Sequence, residues 1–339
     1  MENKVQIVRN NGEIVEGTSP VIISASRATD IPAFYADWFG IRLASGYCGW
    51  KNPYIKESPT SYISFKNTKL FVFWTKNPQP LLPYLDLLDT MGKKYMFQYT
   101  LNDYEDERFE PNVPLLDMRI STFKKLSDRV GKDKVIWRFD PLVLTRELTP
   151  RKLIAKIFGI AKELHGYTNK LVVSFADIGS YKSVSHNMKE YGVDVVEWDE
   201  DSMIAMAKEL QNMRIYLKDI YKWDLDIATC AEKIDLEEYG IFHNKCIDPE
   251  YIEKIFAEDK ELVYFCRTGK LPEGDFEIPE TRKNVKDKGQ RALCGCMISK
   301  DIGSYNTCLH FCKYCYANHN KQGVLENSKK HRKTAEAII

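Results

Sequence analysis

The residues best suited to chemistry are three cysteines near the C-terminus, Cys308, Cys312 and Cys315, with Tyr314 directly before the last of them. We call residues 308–315 the cysteine loop. A short irregular loop with this spacing can aim three sulfurs at three corners of one iron–sulfur cluster, for which thiolates are the usual ligands. Because the loop has no fourth cysteine, one iron of a 4Fe-4S cluster would stay open, like the free coordination position of catalytic metal sites. The spacing therefore predicts a reactive metal centre.

Four further cysteines could form a second centre, and we call them the dispersed cysteine group: Cys230, Cys246, Cys294 and Cys296. Together they could hold a second iron–sulfur cluster that is fully ligated by protein and passes electrons or steadies the C-terminal segment. Cys230 and Cys246 are equally compatible with buried apolar thiols, as free cysteines often are.

Two alternatives assign the cysteines differently. Zinc could bind in a tetrahedral four-sulfur site made by Cys294, Cys296, Cys312 and Cys315, which would make this segment structural or a binding device for a partner. Cys294 or Cys296 could instead occupy the fourth iron of the loop cluster. The protein would then be an iron–sulfur electron carrier or sensor.

Polar side chains stand at the ends of the predicted strands, where ligands bind in parallel αβ barrels. Lys76 follows an apolar strand, Arg138 and Asp140 lie within another, and Ser174 lies near the end of the next. Strand alternation places Arg138 and Asp140 on one face. Lys76, Arg138 and Asp140 are therefore candidate catalytic residues, while an internal salt bridge between Arg138 and Asp140 is the alternative interpretation.

The elements that must position these residues are short apolar runs alternating with longer segments of helical period. One such helix starts at Thr149-Pro150 and has a buried stripe that includes Leu153, Ile157 and Ile160. This alternation predicts an α/β fold, specifically a partial TIM-like parallel βα barrel of about six strands. The predicted strands are Val21 to Ser24, Leu70 to Trp74, Tyr95 to Thr100, Val135 to Phe139, Leu171 to Phe175, and Leu225 to Thr229.

We predict three parts of the chain. Residues 1–240 form the barrel core, residues 241–318 form a cysteine-rich segment that packs on the barrel mouth, and residues 319–339 form a solvated polar tail. The tail contains the basic run Lys329 to Lys333, and such charge runs are usually solvated.

Composition narrows the class of protein. The 339 residues are 44% hydrophobic, enough for a sizeable core, and the formal net charge of +1 gives no broad basic field for nucleic acid. No apolar run approaches the ~20 residues that span a bilayer, and the N-terminus lacks a signal-peptide pattern, so we expect a cytoplasmic protein. Nine cysteines, an odd number, favour metal or redox use over a disulfide framework.

Several motifs make the chain similar to the uncharacterised DUF1848 family, which has a C-terminal cysteine cluster. They are Phe73 to Pro78, Trp137 to Pro141, Cys246-Ile-Asp248, Cys294-Gly-Cys296, Asp301-Ile-Gly303, Tyr305, Thr307-Cys308 and Tyr314 to Asn318. The cysteine loop also resembles the cluster loop of the radical S-adenosylmethionine (SAM) superfamily, in which that loop usually follows the first barrel strand. Here it lies near the C-terminus, so the resemblance implies a circularly permuted barrel.

The Thr75-Lys76 step and Arg138-Phe-Asp-Pro141 are distantly similar to strand-end motifs of the spore photoproduct lyase branch of that superfamily. The resemblance implies a 4Fe-4S cluster that binds SAM, with Lys76, Ser174 and Tyr314 beside the cofactor. It implies reductive cleavage of SAM to a 5′-deoxyadenosyl radical, which acts on an unknown substrate. A flavodoxin or ferredoxin would supply the electron. Nucleic acid is a conceivable substrate, although the charge balance does not indicate it.

Overall fold

The structure, a computed structural model, describes residues 4–53, 55 and 57–339. Its strands are β1 (Lys4–Val8), β2 (Ile14–Thr18), β3 (Ile22–Ala25), β4 (Tyr47–Lys51), β5 (Thr60–Ser64), β6 (Leu70–Thr75), β7 (Lys94–Thr100), β8 (Val135–Leu142), β9 (Lys170–Phe175), β10 (Asp226–Thr229), β11 (Ile241–His243) and β12 (Lys300–Asp301). Its α-helices are α1 (Ile31–Phe34), α2 (Ala36–Ser45), α3 (Leu85–Thr90), α4 (Leu116–Val130), α5 (Pro150–Leu164), α6 (Lys182–Glu190), α7 (Glu200–Tyr221), α8 (Pro249–Ile255), α9 (Lys260–Thr268) and α10 (Lys321–Lys330). Short 3-10 helices span Gln79–Tyr84, Lys132–Lys134 and Glu237–Tyr239.

A parallel sheet forms the centre of the fold. Its strand order is β11-β10-β9-β8-β7-β6-β3-β12, and each neighbouring pair is parallel. The α/β class and the six predicted strands are confirmed, with boundaries displaced by at most three residues, and β11 and β12 extend the sheet at its two edges. In the part of the chain that the structure describes, no ladder joins β11 to β12. One backbone hydrogen bond links their flanking segments, from Met297 N–H to the Ile247 carbonyl at 3.0 Å.

The two faces of this sheet are covered differently. On one face, side chains such as Phe73 and Trp137 pack against the crossover helices α2 to α7. On the other face, apolar residues of the strands share one buried cluster with α8 and α9, which includes Val72, Ile136 and Phe265. Buried parallel strands need apolar residues on both faces, which is why they appear as continuous apolar runs. Only the carboxyl-terminal half of the second face is left for polar residues.

A second sheet of order β1-β2-β5-β4 was not predicted. Its pairs β1–β2 and β4–β5 are antiparallel, and in β1 the sequence KVQIV buries only Ile7. Such half-exposed strands give a weak apolar signal, so sequence periodicity does not separate them from loops.

The final residues differ from the solvated tail that we expected. They form α10 and then return to the N-terminal part of the chain, where Trp38 Nε1–H donates to the Ala335 carbonyl at 3.0 Å. Arg9 pairs with Glu336 at 2.8 Å, and Ile338 is buried. These anchors join residues far apart in sequence, so local composition does not indicate them. Among the described residues, no helix is both long and apolar enough to cross a membrane.

Candidate metal centre

A cavity of about 760 Å³ lies at the carboxyl-terminal ends of the parallel strands. Each candidate site residue named from the sequence lines it: Lys76, Arg138, Ser174, Asp140, Tyr314, the three cysteines of the cysteine loop (Cys308, Cys312, Cys315) and the dispersed cysteine group (Cys230, Cys246, Cys294, Cys296). The other two cysteines are buried elsewhere, Cys48 on β4 and Cys266 on α9. The fold thus gathers the predicted residues around one space.

The cysteine loop follows β12 and is tied to the start of the sheet. Asp301 accepts hydrogen bonds from Ser24 Oγ at 2.9 Å, Ser26 Oγ at 2.6 Å and the Arg27 backbone N–H at 2.8 Å. At Gly303, an added Cβ would lie 1.9 Å from Ser26 Oγ, so a larger residue would displace the loop from β3. These contacts fix the direction in which the loop leaves the sheet.

The loop backbone is also held from three other sides. Tyr35 Oη–H donates to the Thr307 carbonyl at 2.6 Å, Asn112 Nδ2 to the Leu309 carbonyl at 2.9 Å, and Asn318 Nδ2 to the Cys308 carbonyl at 2.7 Å. His310 is buried within the loop. Its ring nitrogens lie 2.9 Å from Asp30 Oδ2 and 3.3 Å from the Asn112 carbonyl. These contacts engage both nitrogens, so the histidine serves to anchor the loop.

A buried ionic network lies beneath Tyr314. Lys76 Nζ is 2.7 Å from Glu110 Oε1 and 3.1 Å from Tyr314 Oη, and Tyr314 also donates to Glu110. Arg119 lies 3.6 Å from the second carboxylate oxygen of Glu110. Burial acts to raise the pKa of Glu110, but Lys76 and Arg119 outweigh it, so the pKa is lowered. The charge of Lys76 is therefore already compensated by a residue that sequence reasoning missed.

Arg138 and Asp140 share the cavity face of β8, as strand alternation predicts. They form an ion pair, with Arg138 Nε donating to Asp140 Oδ2 at 3.0 Å, and Ser174 Oγ donates to the other carboxylate oxygen. Arg138 Nη1 also lies 3.1 Å from the sulfur of Cys246. The internal salt bridge is present, and the same arginine contacts a cavity cysteine.

The dispersed cysteine group comes together from three segments. The sulfurs of Cys230 and Cys246 are 3.4 Å apart, and Asn244 Nδ2 donates to the Cys246 sulfur at 3.2 Å. Hydrogen bonds from the thiols of Cys230 and Cys296 lower the pKa of Cys246 well below its ordinary value, and Arg138 and Arg27 add to this effect against the opposing effect of burial. Cys246 is thus the sulfur best placed to exist as a thiolate.

The thiols of the cysteine loop behave in the opposite way. Burial raises the pKa of Cys308, Cys312 and Cys315, with Lys76 only partly opposing this at Cys312. Burial therefore favours the protonated form of all three thiols, and a metal would have to displace their protons in order to bind. Between residues 4 and 339, apart from the undescribed positions 54 and 56, no three His, Cys, Asp or Glu side chains are grouped so that they could hold a metal ion as they stand.

Two further residues of the cavity, Glu232 and Arg27, lie in unusual environments. Glu232 accepts a hydrogen bond from the Phe175 N–H at 3.0 Å, and burial raises its pKa to about 7. Arg27 stacks over Trp74 at 4.8 Å, and among the described residues its buried Nη2 has no hydrogen-bond partner. The sequence predicts polar residues at the strand ends in general terms. No local pattern singles out Glu232 or Arg27.

These features define an α/β protein with a parallel sheet and a cysteine-lined cavity at the carboxyl ends of its strands. Residues 22–317 match the family described as a domain of unknown function, DUF1848, and the chain belongs to that family. The match starts at β3 and ends just after the cysteine loop, so it contains the whole parallel sheet. The predicted family is confirmed. No curated protein and no solved structure matches the chain.

Proposed function

We propose that this protein is a radical SAM-like iron–sulfur enzyme, whose 4Fe-4S cluster is held by Cys308, Cys312 and Cys315. The observation that carries the proposal is the position of these three thiols on the wall of the strand-end cavity, together with Lys76, Arg138 and Asp140. A reactive centre needs both a metal and room for a substrate, and this cavity offers donors for the first and volume for the second.

The donor set suits such a cluster. Three soft sulfur ligands on one anchored loop match thiolate-ligated iron, and the loop leaves the fourth iron without a protein ligand. His310, the remaining donor type within the loop, is engaged with Asp30. When bound, the cluster would supply the electron that cleaves SAM to methionine and a 5′-deoxyadenosyl radical.

The protein's own residues would bind and orient the reactants. Lys76 has three N–H donors, of which Glu110 and Tyr314 take two, so one remains for the carboxylate of SAM. Arg138 fixes Asp140 in position, and Ser174 donates to the same carboxylate, so a polar group of the substrate would meet a preorganised acceptor. The aromatic face of Trp74 and the buried cavity wall would exclude water from a reactive radical.

The finer fold that accompanies this proposal is a partial, permuted TIM-like barrel. From β3 to β11 the strands of the parallel sheet lie side by side in chain order, interrupted only by β4 and β5 of the second sheet. This order and the hydrogen bond between Met297 and Ile247 support a sheet that curls toward closure. Because β12 lies next to β3, it would take the place of a first barrel strand, with the cysteine loop directly after it. We propose that residues 241–318 act as the cluster-binding segment on the mouth of a core formed by residues 1–240.

A flavodoxin or ferredoxin would reduce the cluster. Free thiols and a reducible cluster suit a reducing compartment, so we propose the cytoplasm. The zinc alternative requires Cys294 and Cys296 to join Cys312 and Cys315. The cysteines that Cys296 contacts are Cys246 and Cys294, neither of them in the cysteine loop, and this speaks against that zinc site.

The test is anaerobic reconstitution with iron and sulfide, followed by low-temperature electron paramagnetic resonance of the reduced protein with and without SAM. We expect a 4Fe-4S signal that changes when SAM is added, and a loss of that response in C308A/C312A/C315A. The matched control, C266A, removes a buried cysteine outside the cavity and should keep the response. Stoichiometric zinc without a cluster signal, or a cluster signal that ignores SAM, would overturn the proposal.

A further inference from the structure

The dispersed cysteine group is assembled by the fold alone. Cys230 follows β10, Cys246 follows β11, and Cys294 and Cys296 precede β12. Cys246 contacts Cys230 at 3.4 Å and also contacts Cys296, which in turn contacts Cys294. All four side chains line the cavity. Four of the chain's nine cysteines thus meet although up to 66 residues separate them, from Cys230 to Cys296.

The segments that carry these cysteines are packed directly on each other. Met297 N–H donates to the Ile247 carbonyl at 3.0 Å, and Ile247 N–H points at the Cys296 sulfur at 3.5 Å. At Gly295, between the two C-terminal cysteines, an added Cβ would lie 2.9 Å from Lys245 Cγ. The Cys294–Cys296 turn therefore rests on residues 245–247 and bridges the two edges of the sheet.

Positive charge and hydrogen-bond donors surround the four sulfurs. Arg138 Nη1 lies 3.1 Å and Asn244 Nδ2 3.2 Å from the Cys246 sulfur. Arg27 interacts electrostatically with Cys296 and Cys246, and its buried Nη2 has no hydrogen-bond partner in the part of the chain that the structure describes. Asp301 already lies near Arg27 as an anion, but buried donors without a partner are rare in native proteins, so Nη2 calls for a further hydrogen-bond acceptor. A cluster with four thiolate ligands is anionic, and hydrogen bonds to its sulfurs tune its potential.

We propose that Cys230, Cys246, Cys294 and Cys296 hold a second iron–sulfur cluster on the wall of the same cavity. Each thiolate binds a different iron, so the sulfurs of Cys230 and Cys246 move apart when the cluster is loaded. With four protein ligands, this cluster has no open iron, and it exchanges electrons with a neighbouring acceptor without binding a substrate. The site uses none of the loop cysteines and stands without the function proposed above.

The decisive experiment separates the two sites by mutation. The full-length C308A/C312A/C315A variant is reconstituted anaerobically with iron and sulfide, and its metal content, visible absorbance and circular dichroism are measured. We expect about four iron and four sulfide per chain in this variant, and about eight of each in the wild type. The C230A/C246A/C294A/C296A variant should hold about four, and C266A should match the wild type.

Because the fourfold variant removes two buried side chains, single variants of the half-buried Cys230 and Cys294 give a second measurement. Each should remain folded and lose cluster absorbance when placed in the loop-free background. The proposal is overturned if the folded C308A/C312A/C315A variant takes up no iron, takes up one zinc in its place, or shows a Cys230–Cys246 disulfide by mass spectrometry. If instead only the C230A/C246A/C294A/C296A variant takes up no iron, the cluster proposed at the cysteine loop is wrong and the second cluster stands.

Discussion

The cysteine loop and the dispersed cysteine group face one cavity, but the chain brings them there in different ways. The three loop cysteines lie within eight residues, whereas the dispersed group needs β10, β11 and β12 to be in place before its sulfurs meet. A local motif can keep its spacing in any fold that exposes it. A dispersed site exists only when the whole sheet has formed, so its integrity reports on the tertiary structure.

The two groups also differ in how the nearby buried cation affects the pKa of their cysteines. Beside the cysteine loop, the charge of Lys76 is taken up by Glu110, and burial raises the pKa of Cys312. Beside the dispersed group, Arg138 divides its donors between Asp140 and the Cys246 sulfur, and the pKa of Cys246 is lowered. The environment of the first site thus favours protonated thiols, whereas that of the second favours the thiolate form of Cys246.

The largest effect on stability should come from Glu110 beneath the loop. E110Q keeps the shape of the side chain but leaves Lys76 and Arg119 without their shared buried counter-charge. We expect the free energy of unfolding to fall by about 3–5 kcal/mol, measured by urea denaturation at pH 7. In the exposed pair Lys4–Glu16, E16Q should cost less than about 1 kcal/mol. Equal effects of the two changes would contradict the interpretation that Glu110 is the shared buried counter-charge of Lys76 and Arg119.

A somewhat smaller loss is expected for Arg138, because its partner Asp140 is partly exposed to the cavity. R138Q should lower the free energy of unfolding by about 3 kcal/mol, since it leaves Asp140 uncompensated. It also removes a cation from Cys246, so the pKa of that thiol should rise. Thiolate absorbance in the ultraviolet, followed against pH in metal-free protein, measures this shift. The exposed Arg129, replaced by glutamine, should leave the thiolate signal unchanged.

Glu232, near the dispersed cysteine group, offers a further test of how the surroundings of that group differ from those of the cysteine loop. Burial raises the pKa of Glu232 from 4.5 to about 7, so between these values the unfolded chain loses a proton that the folded protein keeps. Stability attributable to this group therefore falls as pH rises from about 4.5 to 7.

E232Q should match the wild type near pH 4 and be more stable by about 1–3 kcal/mol near pH 8. Urea denaturation measures the free energy of unfolding of both proteins at the two pH values, and the comparison near pH 4 is the control. A stability difference that does not change with pH would show that the carboxyl group titrates normally.

The sequence predicts those parts of the fold and of the site that depend on residues close together in the chain, and it does not predict contacts between distant residues. The strands of the parallel sheet from β3 to β10 appear as apolar runs because both of their faces are buried, and the cysteine loop appears because its three cysteines are close together in sequence. Glu110 gives no such signal, since it lies in an irregular segment among other acidic residues and meets Lys76 only in the folded protein. The contact of Arg138 with Cys246 likewise depends on two strands that are far apart in sequence.

The pairing of β12 with β3 joins Ser24 to Asp301, 277 positions later in the chain. Ribosomes add roughly 5–20 residues per second, so during synthesis β3 waits about 15–60 s for its second neighbour. Throughout that interval one edge of β3 exposes unpaired backbone groups, which can pair with another chain. The thiols at positions 308–315 emerge later still. The cluster that we propose could therefore be loaded only at the end of synthesis. Until its last strand is made, the nascent chain depends on protection of its first parallel strand.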